Sequence, residues 1–172
     1  MQLDLDALAM RSIEPLFGAI RPATLTAARS GFSPLIHDHA GCLLTRPERW
    51  KYRLRGWYCR AGVSACVTAC DGRAWPRLMR RWAAAMRARG RGKLAPPLGD
   101  QSFLNFLFVT GAAPIRRLAA HMVHHVRRPG EPLDGAAAAR AVVLHFPLPC
   151  KLAEMRRASA VIASRRANQP AS

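Results

Sequence analysis

Short apolar segments of strand length alternate along this chain with segments of helical periodicity. The strand-like segments cover residues 1–9, 25–28, 58–69 and 141–146. Strands that alternate with helices are typical of α/β domains, in which helices cover the faces of a largely parallel or mixed sheet. The pattern therefore predicts an α/β fold with a mixed sheet flanked by helices, in a chain whose 172 residues suit one domain.

The clearest helix lies between the last two strand-like segments. Its apolar stripe consists of Trp75, Leu78, Met79, Trp82 and Met86. Spacings of three and four residues place such side chains on one face of a helix. Shorter helices are predicted at residues 11–17, 100–108 and 116–126, and a loop is predicted over residues 30–57.

The end of the chain differs in composition from the rest. We assign residues 1–155 to a single domain and residues 156–172 to a basic, disordered tail. The longest apolar run, residues 103–109, is too short to cross a bilayer, so no transmembrane segment is predicted.

Charge and cysteine content limit the classes of partner and compartment. The formal net charge of +17 favours polyanionic partners: nucleic acid, anionic membrane or phosphate-bearing small molecules. The five cysteines follow no disulfide spacing, and Asp4 and Asp6 interrupt any secretory signal after Met1. These features favour a cytoplasmic protein with reduced thiols, with the Golgi as the alternative if a further segment precedes Met1.

Two carboxylates flank one apolar residue near the N-terminus, in the order Leu3-Asp4-Leu5-Asp6. In an extended segment, residues i and i+2 project to the same side. Asp4 and Asp6 can then offer two oxygen ligands to Mg²⁺ or Mn²⁺, the ions that bind diphosphates. The alternative interpretation is a pair of solvated acids at the chain end.

Four further polar residues lie at the ends of predicted strands and helices. His145 lies near the end of a predicted strand, where imidazole could complete a cation site, and Lys151 follows six residues later. A lysine there can place a positive charge on a phosphate. Asp100 and Gln101 begin a predicted helix and can face a polar cleft. The alternatives are a core histidine and an ordinary helix cap.

Four motifs, taken in order, resemble those of glycosyltransferase family 8, the family of glycogenin and galactinol synthase. They are L-D-L-D at 3–6 followed by I-E-P-L-F at 13–17, Y-C-R-A-G-V at 58–63, D-Q-S-F-L-N at 100–105, and L-H-F at 144–146 followed by Lys151. The resemblance implies a GT-A type fold and a metal-dependent, retaining transfer of a hexose from a UDP-sugar to an acceptor hydroxyl.

The resemblance also implies a role for each matching residue. It makes Asp4, Asp6 and His145 the ligands of Mn²⁺ or Mg²⁺, and it places Lys151 on the diphosphate of the donor. The cation and the lysine would stabilise charge that develops on the leaving diphosphate.

The acceptor side of the site is implied by the two middle motifs. Asp100 and Gln101 would lie beside the anomeric carbon and the acceptor, and the backbone of Ala61 and Gly62 would line the sugar pocket. The donor sugar and the chemical class of the acceptor stay open.

Some positions depart from the family pattern. Arg60 stands where the family has asparagine, and Leu148 stands where it has glycine. The strands that hold uracil and ribose in the family would precede residue 3. The resemblance therefore implies an N-terminally truncated, incomplete GT-A fold, and it leaves open a fragment or an inactive copy.

Two other interpretations rest on composition and spacing. An arginine-rich nucleic-acid-binding protein is favoured by the charge, by the basic helix near residues 76–91 and by four tryptophans: Trp50, Trp57, Trp75 and Trp82. A zinc site is suggested by the proximity of His37, His39 and Cys42, although structural zinc sites use closer pairs.

Overall fold

A computed structural model of the protein describes residues 1–35, 40–73, 75–90, 99–133, 135–147 and 151–167. The strands are β1 (Gln2–Leu3), β2 (Ala7–Ala9), β3 (Leu25–Arg29), β4 (Val63–Cys70), β5 (Ile115–Arg117), β6 (Val123–His125) and β7 (Val143–His145). The α-helices are α1 (Glu14–Gly18), α2 (Arg46–Leu54), α3 (Trp75–Gly90), α4 (Asp100–Thr110), α5 (Ala136–Arg140) and α6 (Lys151–Ala167). Two 3₁₀ turns are Ala40–Cys42 and Trp57–Cys59.

The strands form two mixed sheets. The larger sheet has the order β1-β4-β3-β5, in which β4 runs antiparallel to both neighbours and β5 runs parallel to β3. The smaller sheet has the order β2-β7-β6, with β7 antiparallel to β2 and parallel to β6. The predicted α/β class with mixed sheets and flanking helices is confirmed. Among the residues that the structure describes, no helix is long and apolar enough to cross a membrane.

The first nine residues, which we predicted as a short strand running into a turn, form two short strands. β1 joins the larger sheet and β2 joins the smaller one, so the segment between them is a turn. The turn is fixed on both sides, because the Asp4 amide donates to the Cys66 carbonyl at 3.0 Å and the Phe146 amide donates to the Asp6 carbonyl at 2.9 Å. The carboxylate pair therefore lies where the two sheets meet.

The helix predicted at residues 116–126 is wrong. Residues in that range belong to β5 and β6, which lie in different sheets. Ile115 pairs with Leu25, and Val123 pairs with Val143. Strand pairing with distant segments has thus overridden the local helical pattern, and β-branched residues fit such positions well.

The loop predicted over residues 30–57 contains a helix, α2. Its first turn is closed by a capping box, in which the Glu48 amide donates to the Thr45 hydroxyl and the Thr45 amide donates to the Glu48 carboxylate. The pattern Thr-x-x-Glu is a recognised signal for a helix start. The capping-box pattern in the sequence therefore indicates this helix, although the nearby glycines and prolines favoured a loop.

The disordered tail predicted from residue 156 is also wrong as far as Ala167, because α6 continues through this range. Ala158 is completely buried. The Arg157 guanidinium donates to the Glu131 carbonyl at 2.7 Å and pairs with Glu154 at 2.6 Å. These contacts hold the helix against the loop that follows β6.

The helix α4 is the centre of the larger hydrophobic core and confirms the helix predicted at residues 100–108. Phe103, Leu104 and Leu107 are buried with β3 and β4 residues. Asn105 is also completely buried, and its side chain bonds to both backbone groups of Val63. α4 is thereby fixed against the start of β4, which positions the candidate site residues described next.

Candidate functional site

The turn between the two sheets places both N-terminal carboxylates beside the end of β7. His145 is the last residue of that strand, and its Nε2 lies 3.4 Å from Oδ1 of Asp6. One ligand atom from each of Asp4, Asp6 and His145 lies within 4.8 Å of the others. The structure therefore brings together the three side chains that we predicted as ligands of one cation.

The register of the smaller sheet explains why these residues meet. Ala7 pairs with His145 across β2 and β7, so Asp6 lies just beyond that pair. The Ala7 amide also donates to the Asp4 carbonyl at 3.1 Å, which closes the turn. The sequence argument placed the two carboxylates on one side of an extended segment. In the structure a turn brings them to the same side instead.

Electrostatics at this junction favour a cation. Burial raises the pKa of Asp4, and repulsion from Asp6 and Asp100 raises it further, against the opposing effect of Lys151. Burial lowers the pKa of His145, although attraction to Asp6 acts in the opposite direction. A neutral imidazole and closely spaced carboxylates are a donor set that a divalent cation would stabilise.

Lys151 lies at the edge of the same cluster. Its Nζ is 3.1 Å from Oδ2 of Asp6, and about half of its side chain is exposed, at 49%. It is the first residue of α6, so this helix, whose part from residue 156 lies in the predicted tail, begins at the site. The ammonium group can therefore contact both the carboxylate and a ligand that approaches from solvent.

Asp100 lies close to this cluster, whereas Gln101 is directed toward the sheet. Asp100 is near enough to Asp4 to raise its pKa by repulsion. Oε1 of Gln101 accepts hydrogen bonds from the Ser64 hydroxyl at 3.4 Å and from the Ala65 amide at 3.5 Å. The two adjacent residues therefore face different surroundings, and only Asp100 is electrostatically coupled to the carboxylate pair.

Ala61 and Gly62 lie in the loop that precedes β4. A Cβ on Gly62 would lie 2.4 Å from Oδ1 of Asn105, so only glycine fits against this buried amide. The Ala61 carbonyl accepts a hydrogen bond from Arg117 at 2.8 Å. Gly62 precedes Cys66 by four residues on an extended strand, which places it roughly 13 Å from the point where the Asp4 turn joins β4. These two residues lie apart from the cation cluster.

A residue that the sequence did not identify also contacts the cluster. Nδ1 of His125 lies 2.9 Å from Nδ1 of His145, and its other nitrogen lies 2.9 Å from the Arg29 carbonyl oxygen. The wrong helix prediction for residues 116–126 placed His125 on a helix face, whereas β6 places it directly beside β7. The contact between His125 and His145 could not be found without knowing that β6 pairs with β7.

Cys66 forms a second group of possible ligands with His125 and His145, again within 4.8 Å. Burial raises the pKa of the Cys66 thiol to about 12, despite a hydrogen bond with Ser64 that acts in the opposite direction. A thiolate is a soft ligand, whereas Mg²⁺ and Mn²⁺ prefer carboxylate oxygens. The carboxylate group is therefore the stronger candidate.

Other sequence hypotheses fall on different parts of the chain. His37, His39 and Leu148 lie outside the described residues. The guanidinium of Arg60, which stands where the resembled motif has asparagine, lies over the Trp57 ring at 5.1 Å.

The comparisons with known proteins support the fold. No protein-family model matches the sequence, and no curated protein matches it at a significant level. The structure is similar to that of the galactosyltransferase LgtC, solved in complex with donor and acceptor sugar analogues, with a TM-score of 0.52 and 16% sequence identity. The match covers 94% of this chain and 59% of the LgtC chain. The GT-A type fold that we predicted is confirmed, and this chain spans less than two thirds of that protein.

Proposed function

We propose that the protein is a metal-dependent, retaining glycosyltransferase of family 8 that moves a hexose from a UDP-sugar to an acceptor hydroxyl. The observation that carries this proposal is the convergence of Asp4, Asp6 and His145 within 4.8 Å at the junction of the two sheets. Such a cluster in a GT-A type fold suits a nucleotide-sugar site. The transferase domain would extend beyond the predicted boundary at residue 155, because α6 continues to Ala167 and buries Ala158.

The donor atoms fit Mn²⁺ or Mg²⁺. Carboxylate oxygens are preferred by both ions, and a neutral imidazole nitrogen is well suited to Mn²⁺. When bound, the cation supplies positive charge against the donor diphosphate, where negative charge develops as the sugar leaves. Asp4 and Asp6 hold this position, because the turn that carries them is bonded to both sheets.

Lys151 binds a phosphate oxygen of the donor in this proposal. Its Nζ already lies beside the cation cluster, 3.1 Å from Asp6, and its side chain is partly open to solvent. An ammonium group in this position adds a second positive charge to the leaving diphosphate.

The remaining site residues orient the sugar and the acceptor. Asp100 lies beside the anomeric carbon, which its electrostatic coupling to Asp4 supports. Gln101 is proposed to lie beside the acceptor, as the motif implies, while its bonds to Ser64 and Ala65 fix the start of α4. Ala61 and Gly62 are proposed to line the far end of the sugar pocket.

The proposal predicts that Mn²⁺ together with UDP stabilises the protein and that Asp6→Ala abolishes this effect. At a ligand concentration of 100 times Kd, binding stabilises by about 2.7 kcal/mol, which corresponds to a Tm increase of roughly 5–10 °C for a chain of this size. Differential scanning fluorimetry with and without UDP measures the shift. Asp6→Ala removes a ligand that also contacts His145 and Lys151.

Asp71→Ala is the matched control for that measurement. Asp71 lies in the turn after β4 and accepts a hydrogen bond from the Arg73 amide, away from the cluster. Its replacement should leave the shift induced by Mn²⁺ and UDP intact. A protein without substitutions that shows no shift would contradict an active transferase and leave the inactive-copy interpretation.

Lys151→Met is predicted to weaken the binding of UDP without weakening the binding of Mn²⁺. Loss of a hydrogen bond to a charged group costs about 1.5–3 kcal/mol, so UDP should bind roughly 10–100-fold more weakly in the presence of Mn²⁺. Mn²⁺ alone should bind as well as before or more tightly, because Lys151 no longer competes for Asp6. Isothermal titration calorimetry separates the two affinities.

Lys51→Met provides the control, because Lys51 is exposed on α2 and changes the net charge equally. Equal losses of UDP affinity in the two variants would show that only overall charge matters. That result would remove Lys151 from the proposed donor site.

The nucleic-acid-binding alternative stays a hypothesis with reduced support. Trp57 packs edge-to-face against Phe108, and Trp82 packs against the larger core, so neither is free to stack on bases. Trp50 and Trp75 are partly exposed. A steep dependence of DNA affinity on salt would be needed to favour this function over sugar transfer.

A further inference from the structure

His145 lies between a carboxylate and a second histidine, and each of its ring nitrogens faces a different partner. Nε2 lies 3.4 Å from Oδ1 of Asp6, and Nδ1 lies 2.9 Å from Nδ1 of His125. The remaining nitrogen of His125, Nε2, lies 2.9 Å from the Arg29 carbonyl oxygen. These contacts form a continuous line from the backbone of β3 to the carboxylate cluster.

The end of this line determines where each proton lies. A carbonyl oxygen only accepts hydrogen bonds, so Nε2 of His125 must carry hydrogen and donate it to Arg29. In a neutral imidazole the other nitrogen is then an acceptor, and Nδ1 of His125 accepts from Nδ1 of His145. Nε2 of His145 is left with its lone pair, directed toward the side of Asp6.

Both rings are neutral in this arrangement. A second proton on either ring would put a hydrogen on Nε2 of His145, directly or by turning Nδ1 of His125 into a donor, so a lone pair on that nitrogen belongs to the neutral pair. In the neutral pair, Nε2 of His125 donates to the Arg29 carbonyl and Nδ1 of His145 donates to Nδ1 of His125, so both contacts are satisfied.

Asp6 by itself would favour the other tautomer of His145. A carboxylate accepts hydrogen bonds, so a proton on Nε2 would be stabilised by Oδ1 of Asp6. That tautomer has no lone pair on Nε2 and could not bind a cation there. The contact with His125 opposes this outcome, because an N–H on Nδ1 of His145 satisfies the acceptor nitrogen of His125.

We propose that His125 is a positioning residue that holds His145 in the tautomer protonated at Nδ1, so that Nε2 is available to a divalent cation beside Asp4 and Asp6. Partners of this kind commonly set the tautomer and orientation of a ligating histidine. The functional meaning rests on the proposed cation site, whereas the tautomer is a property of the metal-free protein.

The first test measures the tautomer directly in the metal-free protein labelled with ¹⁵N-histidine. Long-range ¹H–¹⁵N correlation spectra at neutral pH distinguish a proton on Nδ1 from a proton on Nε2, and a His145→Gln sample identifies the His145 signals. We expect His145 to be protonated at Nδ1 and His125 at Nε2. A proton on Nε2 of His145 would overturn the inference, whether or not the protein transfers sugar.

The second test replaces the acceptor nitrogen. In His125→Phe the ring shape remains but Nδ1 is lost, so the proton of His145 should move to Nε2 and Mn²⁺ affinity should fall by about 10–100-fold. In His125→Asn an amide oxygen takes the place of Nδ1 and should restore both the tautomer and most of the affinity. Free Mn²⁺ measured by electron paramagnetic resonance gives the affinities.

The two tests separate this inference from the proposed function. If the protein without substitutions binds no Mn²⁺, the transferase proposal fails, and the spectrum still decides the tautomer. If His145 stays protonated at Nδ1 in His125→Phe, His125 does not position it. Equal Mn²⁺ affinities for the Phe and Asn variants would likewise contradict the positioning role of His125. If the Phe variant does not fold, the histidine spectra of the parent protein and of the Asn variant decide the tautomer.

Discussion

Replacing Asp4 by asparagine is expected to lower the rate of UDP-sugar turnover by about three orders of magnitude, because a cation that stabilises the leaving group contributes several kcal/mol. The same substitution is expected to raise the Tm of the metal-free protein. Burial and repulsion from Asp6 and Asp100 raise the pKa of Asp4, so its charged form is unfavourable in the folded state. The amide removes that charge and keeps the shape.

The sign of this stability effect depends on pH. A carboxyl group whose pKa is raised on folding destabilises the native protein above that pKa, and the penalty disappears as the carboxyl becomes protonated at lower pH. The Tm difference between Asp4→Asn and the parent should therefore be largest near neutral pH and should shrink as the pH falls toward the ordinary aspartate range. Thermal melts in metal-free buffers at several pH values measure it.

Turnover is measured as release of UDP from UDP-sugars with Mn²⁺ present, since hydrolysis needs no known acceptor. Asp71→Asn, in the turn after β4, is the control with the same change of charge. It should keep the parent rate. Comparable rates for Asp4→Asn and Asp71→Asn would mean that the N-terminal carboxylates do not take part in the reaction, despite their position beside His145.

The meeting of Asp4, Asp6 and His145 could be predicted from the sequence, but only through the order of the motifs. No local pattern indicates that the first turn and β7 are neighbours, because His145 lies 139 positions after Asp6. The turn geometry was not predictable in the same way. It depends on β1 and β2 pairing in different sheets, and each strand is only two or three residues long.

The wrong helix prediction at residues 116–126 has a clear physical origin. β5 and β6 are three residues each, and their extended conformation is set by pairing with β3 and β7. Periodicity within such short segments carries little information, so the helical interpretation prevailed. The contact of His125 with His145 was missed for that reason. By contrast, α3 and α4 are long enough for their apolar patterns to identify them.

Asn105→Leu is expected to destabilise the protein by about 4 kcal/mol, because it leaves two buried backbone groups without this partner and each such group costs about 1–3 kcal/mol. Oδ1 of Asn105 accepts from the Val63 amide at 3.0 Å, and Nδ2 donates to the Val63 carbonyl at 2.8 Å. The side chain is completely buried, so water cannot replace these bonds without opening the core. Chemical denaturation monitored by tryptophan fluorescence measures the loss.

The position of Asn105 gives this substitution a second consequence. Its amide lies 2.4 Å from where a Cβ of Gly62 would be, so a branched leucine must move either the loop before β4 or α4 itself. Because Asp100 begins α4, UDP-sugar turnover should fall together with stability. Thr110→Val on the same helix removes a half-buried hydroxyl that donates to the Phe106 carbonyl at 2.7 Å, with longer contacts to the Leu107 carbonyl and the Ala112 amide, and should cost about 1 kcal/mol. A similar small loss for Asn105→Leu would mean that α4 is held to β4 by apolar packing alone.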